Sequence, residues 1–409
     1  MGVERVSAES RVGESVHLAI DASNIRQGGG VTHLSQILAA AEPKMAGISQ
    51  VTVWAPRSTV AQLPVRPWLV TTTPSWVEAG LAHRLLGQQI LLRRELLLRG
   101  CDVLFSPGGT IPSIPGIPIV TMSQNLLPFE PSEAVRFGRW SLMRFKMWLL
   151  RQAQRRSFRN ADGVIFLTRY AQERVDQWVG GLNGKSVRIP HGIESRFALA
   201  PRPQRPVTEY SAFKPFTVLY VSILMPYKHQ IEVAHAIHDL RREGYPVRAK
   251  FLGVGWGSYG NKFRKALHQL DPTGEHLLWP GGVPYGSLHD EYGSADAFVF
   301  ASSCENLPNI LIEAMAAGLP IACSDRGPMP EVLGEAGVYF EPDHSASIAQ
   351  ALRRLIDDVD LREQAAFGAW RKSLAFSWKY CARETFAYVA AIAKQGKKIR
   401  RGEEIGKNV

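Results

Sequence analysis

Two carboxylates stand eight positions apart in Ser302–Met315, SSCENLPNILIEAM. Glu305 falls in a turn after an apolar run that ends at Ala301, and Glu313 falls inside an apolar helical pattern. Carboxylates accept hydrogen bonds from hydroxyls and repel phosphate. Between the two, Pro308 suits the first turn of a helix, where no amide donor is needed. The amides of Asn306, Leu307 and their neighbours would then point out of the positive end of that helix, an arrangement suited to an anion. The spacing itself is common, and two ordinary helix acids, one capping and one facing solvent, would explain it equally well. A second element supplies the opposite charge. Leu219–His235, LYVSILMPYKHQIEVAH, reads as strand, loop and helix with Lys228 in the loop, a point charge placed for phosphate. Taken alone, Lys228 also reads as a surface lysine.

Glycine loops follow other apolar runs. Phe251–Gly257, with Gly253, and Pro280–Tyr285, with Val283, permit either tight turns or close backbone approach to a ligand. In the amino-terminal half, Asp21-Ala22-Ser23-Asn24 is followed by Gln27-Gly28-Gly29-Gly30-Val31, where glycines opening a helix let amides approach a phosphate or hydroxyl. The contiguous Gly28, Gly29 and Gly30 do not make the dinucleotide fingerprint, which needs spaced glycines. Asn125, in Ser123–Phe129, can position hydroxyls but cannot act as a base. Asp358-Val359-Asp360 has an acid-x-acid spacing in a polar late segment and reads as solvated surface.

These residues need a scaffold, and the chain supplies alternation. Val16–Asp21, Val51–Trp54, Asp102–Phe105, Ile117–Met122 and Gly163–Leu167 read as strands separated by helix-period segments or loops. After Ala198–Pro215, which carries Pro201, Pro203, Pro206 and Pro215 and reads as a linker, a second set follows: Phe216–Ser222, Val247–Gly253, Asp296–Ala301, Leu319–Ser324 and Val338–Phe340. This is the pattern of open parallel α/β sheets. The expected organisation is a loose tail over residues 1–15, a first Rossmann-like domain over 16–205 and a second over 206–381. A terminal helix near 382–400 is expected to pack back on the first. Two facing sheets would bind a ligand in a cleft at the carboxyl ends of their strands.

Composition sets limits on class. With 409 residues, 45% hydrophobic and 21% charged, the chain is globular and large enough for two or three domains. Cys101, Cys304, Cys323 and Cys381 have no metal-ligand spacing and read as buried thiols of a reducing compartment. No run reaches the roughly 18 apolar residues of a membrane span, and the polar first fifteen residues lack the core of a signal peptide. A cytoplasmic location is expected.

The segment around Glu305 and Glu313, together with AMAAGLPIACSD and GPMPEVL after it, resembles the glutamate pair of the family 4 glycosyltransferases, the retaining group 1 enzymes with the two-domain GT-B fold. The resemblance covers nearly the whole chain and is most specific from Val218 to Pro342. It implies that Glu305 orients the transferred sugar, Glu313 holds the ribose hydroxyls and Lys228 balances the leaving diphosphate. It also implies that Asn306, Leu307, Gly253 and Val283 line the donor site, and that Gly28, Gly29, Gly30 and Asn125 face the donor phosphates and the acceptor. No metal or other cofactor is implied. Two departures stand out. Ser222-Ile223-Leu224 replaces a frequent Gly-Arg-Leu, leaving Lys228 with more of the diphosphate charge and Arg326 as a second base. Gln124 and Asn125 stand where many relatives have a histidine, and His191, in IPHGIE, replaces a frequent asparagine and reads as structural.

The expected activity is metal-independent transfer of a hexose from a nucleotide-diphosphate sugar to a hydroxyl of a glycan or lipid-linked acceptor, in cell-surface polysaccharide synthesis. The rivals are a nucleotide-sugar epimerase or hydrolase of the same fold and a non-catalytic nucleotide-sugar-binding subunit. The formal charge of +11 is unevenly spread. Arg136–Asn160 holds eight arginines or lysines, no acid, and Trp140, Phe145 and Trp148 among them. That pattern fits a helix on an anionic membrane face and equally an amphipathic helix of the first domain. No nucleic-acid module is readable.

Overall fold

The computed structural model describes residues 15–407 apart from 139, 183 and 256, with side chains to residue 397. The loose tail expected over residues 1–15 lies, but for Ser15, outside the described residues. Two sheets are present, and every described strand pairing within them is parallel. The first has seven strands: β1 Val16–Asp21, β2 Ile48–Trp54, β3 Leu69–Thr72, β4 Val103–Ser106, β5 Ile119–Met122, β6 Gly163–Phe166 and β7 Ser186–Arg188, in the order β3-β2-β1-β4-β5-β6-β7. The second has six: β8 Phe216–Val221, β9 Val247–Leu252, β10 Leu277–Gly281, β11 Ala297–Phe300, β12 Ile321–Ser324 and β13 Gly337–Phe340, in the order β10-β9-β8-β11-β12-β13.

The strands β4, β5, β6, β8, β11 and β12 are buried along their whole length. Parallel sheets are covered by helices on both faces, so such strands are continuous apolar runs, which is why the sequence reveals them. The edge strands β3, β7, β10 and β13 are only partly buried. Of these, β3, β7 and β10 are not among the strands that the sequence reading names.

By compactness the chain forms two units. One takes residues up to Met122, Asn160–Gly163 and the chain from Ala382; the other takes Ser123–Arg159 and Val164–Cys381. In the first unit, the helix Trp378–Lys407 contributes Lys397, whose ammonium pairs with Asp102 at 2.8 Å, and Phe386, whose ring meets Trp68 edge-on. Gly163 and Gly396 leave room for Tyr388 and Pro118, which a Cβ would meet at 2.8 and 2.4 Å.

Two sequence expectations change in detail. The helix expected from Arg136 begins at Leu142, because Gly138 at φ 106 separates it from the short helix Pro131–Val135. The proline-rich segment is irregular except for the turn Val207–Glu209, but it is fastened down. Arg202 donates to Gly293 O at 2.6 Å, and the buried guanidinium of Arg362 donates to Gln204 Oε1 and Arg205 O. All four cysteines are buried and unbridged.

Candidate functional site

Lys228 and Glu305 are 77 positions apart and form an ion pair in which the lysine is buried and the glutamate half-buried. The topology explains the meeting. β8 and β11 are hydrogen-bonded neighbours, with Ala297 beside Val218 and Phe298 beside Leu219. The strand order reverses direction between them, β9 and β10 lying on one side and β12 and β13 on the other. Loops leaving adjacent parallel strands at such a switch point diverge to opposite faces and open a crevice at the strands' carboxyl ends. Lys228 leaves β8 and Glu305 leaves β11, so both arrive there. The two loops are tied where Ser303 N donates to Tyr227 O at 2.9 Å, and the first is held to its own strand where the Tyr220 hydroxyl donates to Lys228 O.

The Lys228 side chain is 7% exposed and that of Glu305 16%. Burial lowers the lysine's pKa, but the Glu305 charge, followed by Tyr227, outweighs burial, so it stands above its ordinary value. The ammonium also lies 5.3 Å from the Tyr227 ring centre and 5.6 Å from that of Phe300. A group that stays cationic while nearly dry interacts with an anion far more strongly than a solvated lysine does.

His229, the next residue, has φ 53, a left-handed conformation that a bulky side chain rarely adopts. Its imidazole is buried and pushed down to about 4 by burial, then by Arg136. Nε2 lies 3.1 Å from Ser303 Oγ, and that hydroxyl donates to Glu133. With the Ser303 proton so engaged, the neutral imidazole carries its proton on Nε2 and donates it to Ser303. Arg136 grips Glu133 and Asp343, each at 2.7 Å. The chain of bonds holds both loops from behind, and nothing in the sequence announced it except the bulky residue following Lys228.

Glu313 has different company. It sits inside the helix Asn309–Ala316, buried, and accepts from the Tyr285 hydroxyl at 3.2 Å and the Tyr292 hydroxyl at 3.0 Å. Burial pushes its carboxyl up to about 7, against the pull of Tyr292, Tyr285 and Arg196. The Arg196 guanidinium lies 4.2 Å over the Tyr285 ring. Tyr285 is 42% exposed while Glu313 is 4% exposed, so the tyrosine covers the carboxylate on its open side. An ionised carboxylate has about four acceptor positions, of which two phenols occupy two.

Asn306 and Leu307 are buried in the turn before this helix, and Pro308 occupies its capping position rather than its first turn. Asn306 Nδ2 donates to Ser123 O at 2.7 Å, and its own carbonyl accepts from Thr168 Oγ1 at 3.0 Å. The turn that carries Asn125 therefore adjoins the turn that carries Glu305. Asn125 itself is exposed, and its Oδ1 accepts from Leu127 N at 3.1 Å, a bond that closes its own turn.

Gly253, at φ 149, follows β9, and a Cβ there would lie 1.8 Å from Ser222 O. Close backbone approach therefore requires glycine at this position. Trp279 Nε1 donates to Gly253 O at 2.9 Å, and Gly253 N donates to Gly281 O at 2.8 Å. Val283 lies two residues further along, half-buried. His191 is buried, stacked on Trp378 with centroids 5.6 Å apart, and faces Asn309 Oδ1 at 3.3 Å; burial pushes it down to about 4. Arg326 pairs with Asp325 at 3.3 Å, and Asp358 caps the helix Val359–Ser373 by accepting from Leu361 N.

In the other unit, Gly28 at φ 71 precedes the helix Gly29–Ala40, which Gly29 and Gly30 open after the buried end of β1. Neither Gly28 nor Gly29 would carry a Cβ against any neighbour. Asp21, at the end of β1, accepts from Ser23 N at 3.1 Å and from Gln88, and burial raises its carboxyl above the usual range.

Residues 209–369, which hold Lys228, Glu305 and Glu313, match the family described as glycosyl transferases group 1. Among characterised relatives, the chain is 28% identical over 258 residues to the GDP-mannose-dependent α-(1-6)-phosphatidylinositol monomannoside mannosyltransferase of Mycolicibacterium smegmatis, covering 60% of this chain and 64% of that one. It is 32% identical over 122 residues to O-antigen chain mannosyltransferase B of Escherichia coli, covering 29% of this chain and 32% of that one. The chain thus spans less than two thirds of these relatives' length. Among solved structures, sucrose-phosphate synthase of Thermosynechococcus elongatus superposes with a TM-score of 0.67 at 18% identity, covering 96% of this chain and all of that one. HepE of Anabaena, in complex with UDP-glucose, superposes with a TM-score of 0.62 at 16% identity, covering 94% and 99%. The fold is GT-B.

Proposed function

With residues 209–369 of this chain belonging to the group 1 glycosyltransferases, we propose that the protein transfers a hexose, with retention, from a nucleotide-diphosphate sugar to a hydroxyl of a glycan or lipid-linked acceptor. The observation that carries this reading is the Lys228–Glu305 pair at the β8/β11 switch point, eight residues from a buried carboxylate, Glu313. A diphosphate arriving at the end of the helix Asn309–Ala316 meets a dry ammonium, and Glu305 is then released to accept from sugar hydroxyls. Glu313 accepts from the ribose hydroxyls once Tyr285 yields. The charge of the leaving diphosphate is balanced by Lys228 and helix amides, without a metal ion. The step proposed is attack from the leaving-group face, with the departing phosphate taking the acceptor proton as the acceptor oxygen bonds to the sugar carbon. Gly28, Gly29, Gly30 and Asn125 serve the phosphates and the acceptor.

The printed names of the relatives put GDP-mannose and UDP-glucose first among donors to try. No described helix is long and apolar enough to cross a membrane. The helix Leu142–Asn160 leaves Leu142, Phe145, Trp148 and Leu149 about half or more exposed among its bases, which supports peripheral attachment to an anionic membrane. A thermal-shift panel of GDP-, UDP-, ADP- and TDP-sugars tests donor recognition: a true donor raises Tm by mass action. In a transfer assay with that donor, Glu305→Ala is expected to cost about a hundredfold or more in turnover, and a chelator is expected to leave turnover intact. Unchanged turnover in Glu305→Ala, or sugar release that needs no acceptor, would remove the assignment.

A further inference from the structure

A second concave site lies outside the Lys228–Glu305–Glu313 constellation. A cavity of ≈ 390 Å³ opens along the helix Leu142–Asn160 and the short helix before it. Pro131, Trp140, Arg144, Phe145, Trp148 and Arg151 are among the residues that line it. The Phe145 and Trp148 rings stack at 5.9 Å, and Trp140 is 93% exposed at the rim.

The lining chemistry selects the ligand. Sites for neutral sugars gather carboxylates and amides, the groups that read hydroxyls in pairs. This lining contains neither, and its charged groups are two guanidiniums. Arg151 makes no ion pair with any described carboxylate. Its Nε is buried without a hydrogen-bond partner, and its guanidinium carbon lies 4.2 Å from the centre of the Trp178 ring. The planar fork of a guanidinium matches the oxygens of a phosphate. The aromatic wall beside it, formed by Phe145 and Trp148, suits an aliphatic chain.

We propose that this cavity is a lipid-phosphate site: it seats the phosphate of one membrane lipid between Arg144 and Arg151, with the adjoining chain against Phe145 and Trp148. The inference rests on the glycosyltransferase reading only for its purpose, which is to hold the protein where a lipid-linked acceptor is presented. The binding chemistry stands without it. A phosphate attached to a chain is distinguished from free phosphate by the aromatic wall, and an anionic headgroup from a zwitterionic one by the unpaired guanidinium.

The test uses the full chain and dihexanoyl phosphatidylglycerol below its micellar concentration, followed by calorimetric titration. Saturable binding is expected, with dihexanoyl phosphatidylcholine and inorganic phosphate each weaker by about tenfold or more. Arg144→Gln/Arg151→Gln is expected to weaken phosphatidylglycerol by at least about tenfold, and Trp148→Gln by about three- to fivefold. Either variant keeps the wild-type nucleotide-sugar thermal shift. Phosphate binding as tightly as the lipid, phosphatidylcholine binding as tightly as phosphatidylglycerol, or full binding by both variants would overturn the proposal. If the wild-type chain takes the lipid but no nucleotide sugar stabilises it, the functional reading falls and the cavity assignment stands.

Discussion

Glu305 and Glu313 share a segment and a loop–helix unit, yet they occupy opposite electrostatic settings. Glu305 faces a buried ammonium; Glu313 faces two phenols and is pushed up to about 7 by burial. In the proposed reaction the first carboxylate yields its cation to an incoming anion. Among the described residues the second accepts from two phenols, which in the same reading give way to incoming hydroxyls. Identical side chains thus differ in setting because of their partners, and the proposed division of tasks predicts that the Glu305 surroundings respond to charge and the Glu313 surroundings to hydroxyls and to pH.

The largest test of this contrast removes one member of the ion pair. Lys228→Met leaves Glu305 beside no cation, a cost of about 3 kcal/mol or more. Lys228→Met/Glu305→Leu, which strands no charge, should recover most of it. Denaturant unfolding of the two variants measures the difference, and a double variant no more stable than the single one would mean that the pair is not desolvated. Both variants should lose the nucleotide-sugar thermal shift.

Glu313→Gln should act through pH instead. Folding raises this carboxyl from an ordinary 4.5 to about 7, so between those values the native state holds a proton that the unfolded chain has released. The Glu313 contribution is therefore most favourable below about pH 4.5, declines as pH rises through the interval and levels off above about 7. The glutamine variant should gain Tm relative to wild type across that window, by up to a few kcal/mol in stability at pH 8. Parallel Tm curves for the two proteins would show that Glu313 does not titrate as a buried acid. In the same variant, nucleoside-diphosphate affinity should fall by about tenfold and lose its rise toward neutral pH.

Tyr285→Phe should have a smaller effect. It removes one donor to Glu313 and the polar cover over it, so nucleotide affinity should rise by about two- to fivefold in titration calorimetry. A fall would mean that the Tyr285 hydroxyl contacts the ligand itself.

Much of the scaffold was legible because parallel strands buried on both faces are uninterrupted apolar runs, as in β8 and β11. The short, half-exposed β3 and β7 carry no such signal, and the helix over residues 142–160 starts later than its basic pattern because one glycine at positive φ resets the chain. At the site, the residue types and a helix start within one residue of Asn309 were readable, since they depend on neighbours in sequence. Tyr292, Glu133 and Ser123 were not, since each reaches its partner across more than twenty positions and no local pattern encodes that distance.

The amino-acid sequence by itself determined the alternation that builds two parallel sheets, the carboxylates eight positions apart and a lysine after a buried strand. Only the tertiary structure decided that the lysine meets the first carboxylate and that two tyrosines hold the second. The reason is topological: hydrogen bonding places β8 beside β11, and the meeting of side chains 77 residues apart follows from sheet order, which no segment of the chain specifies alone.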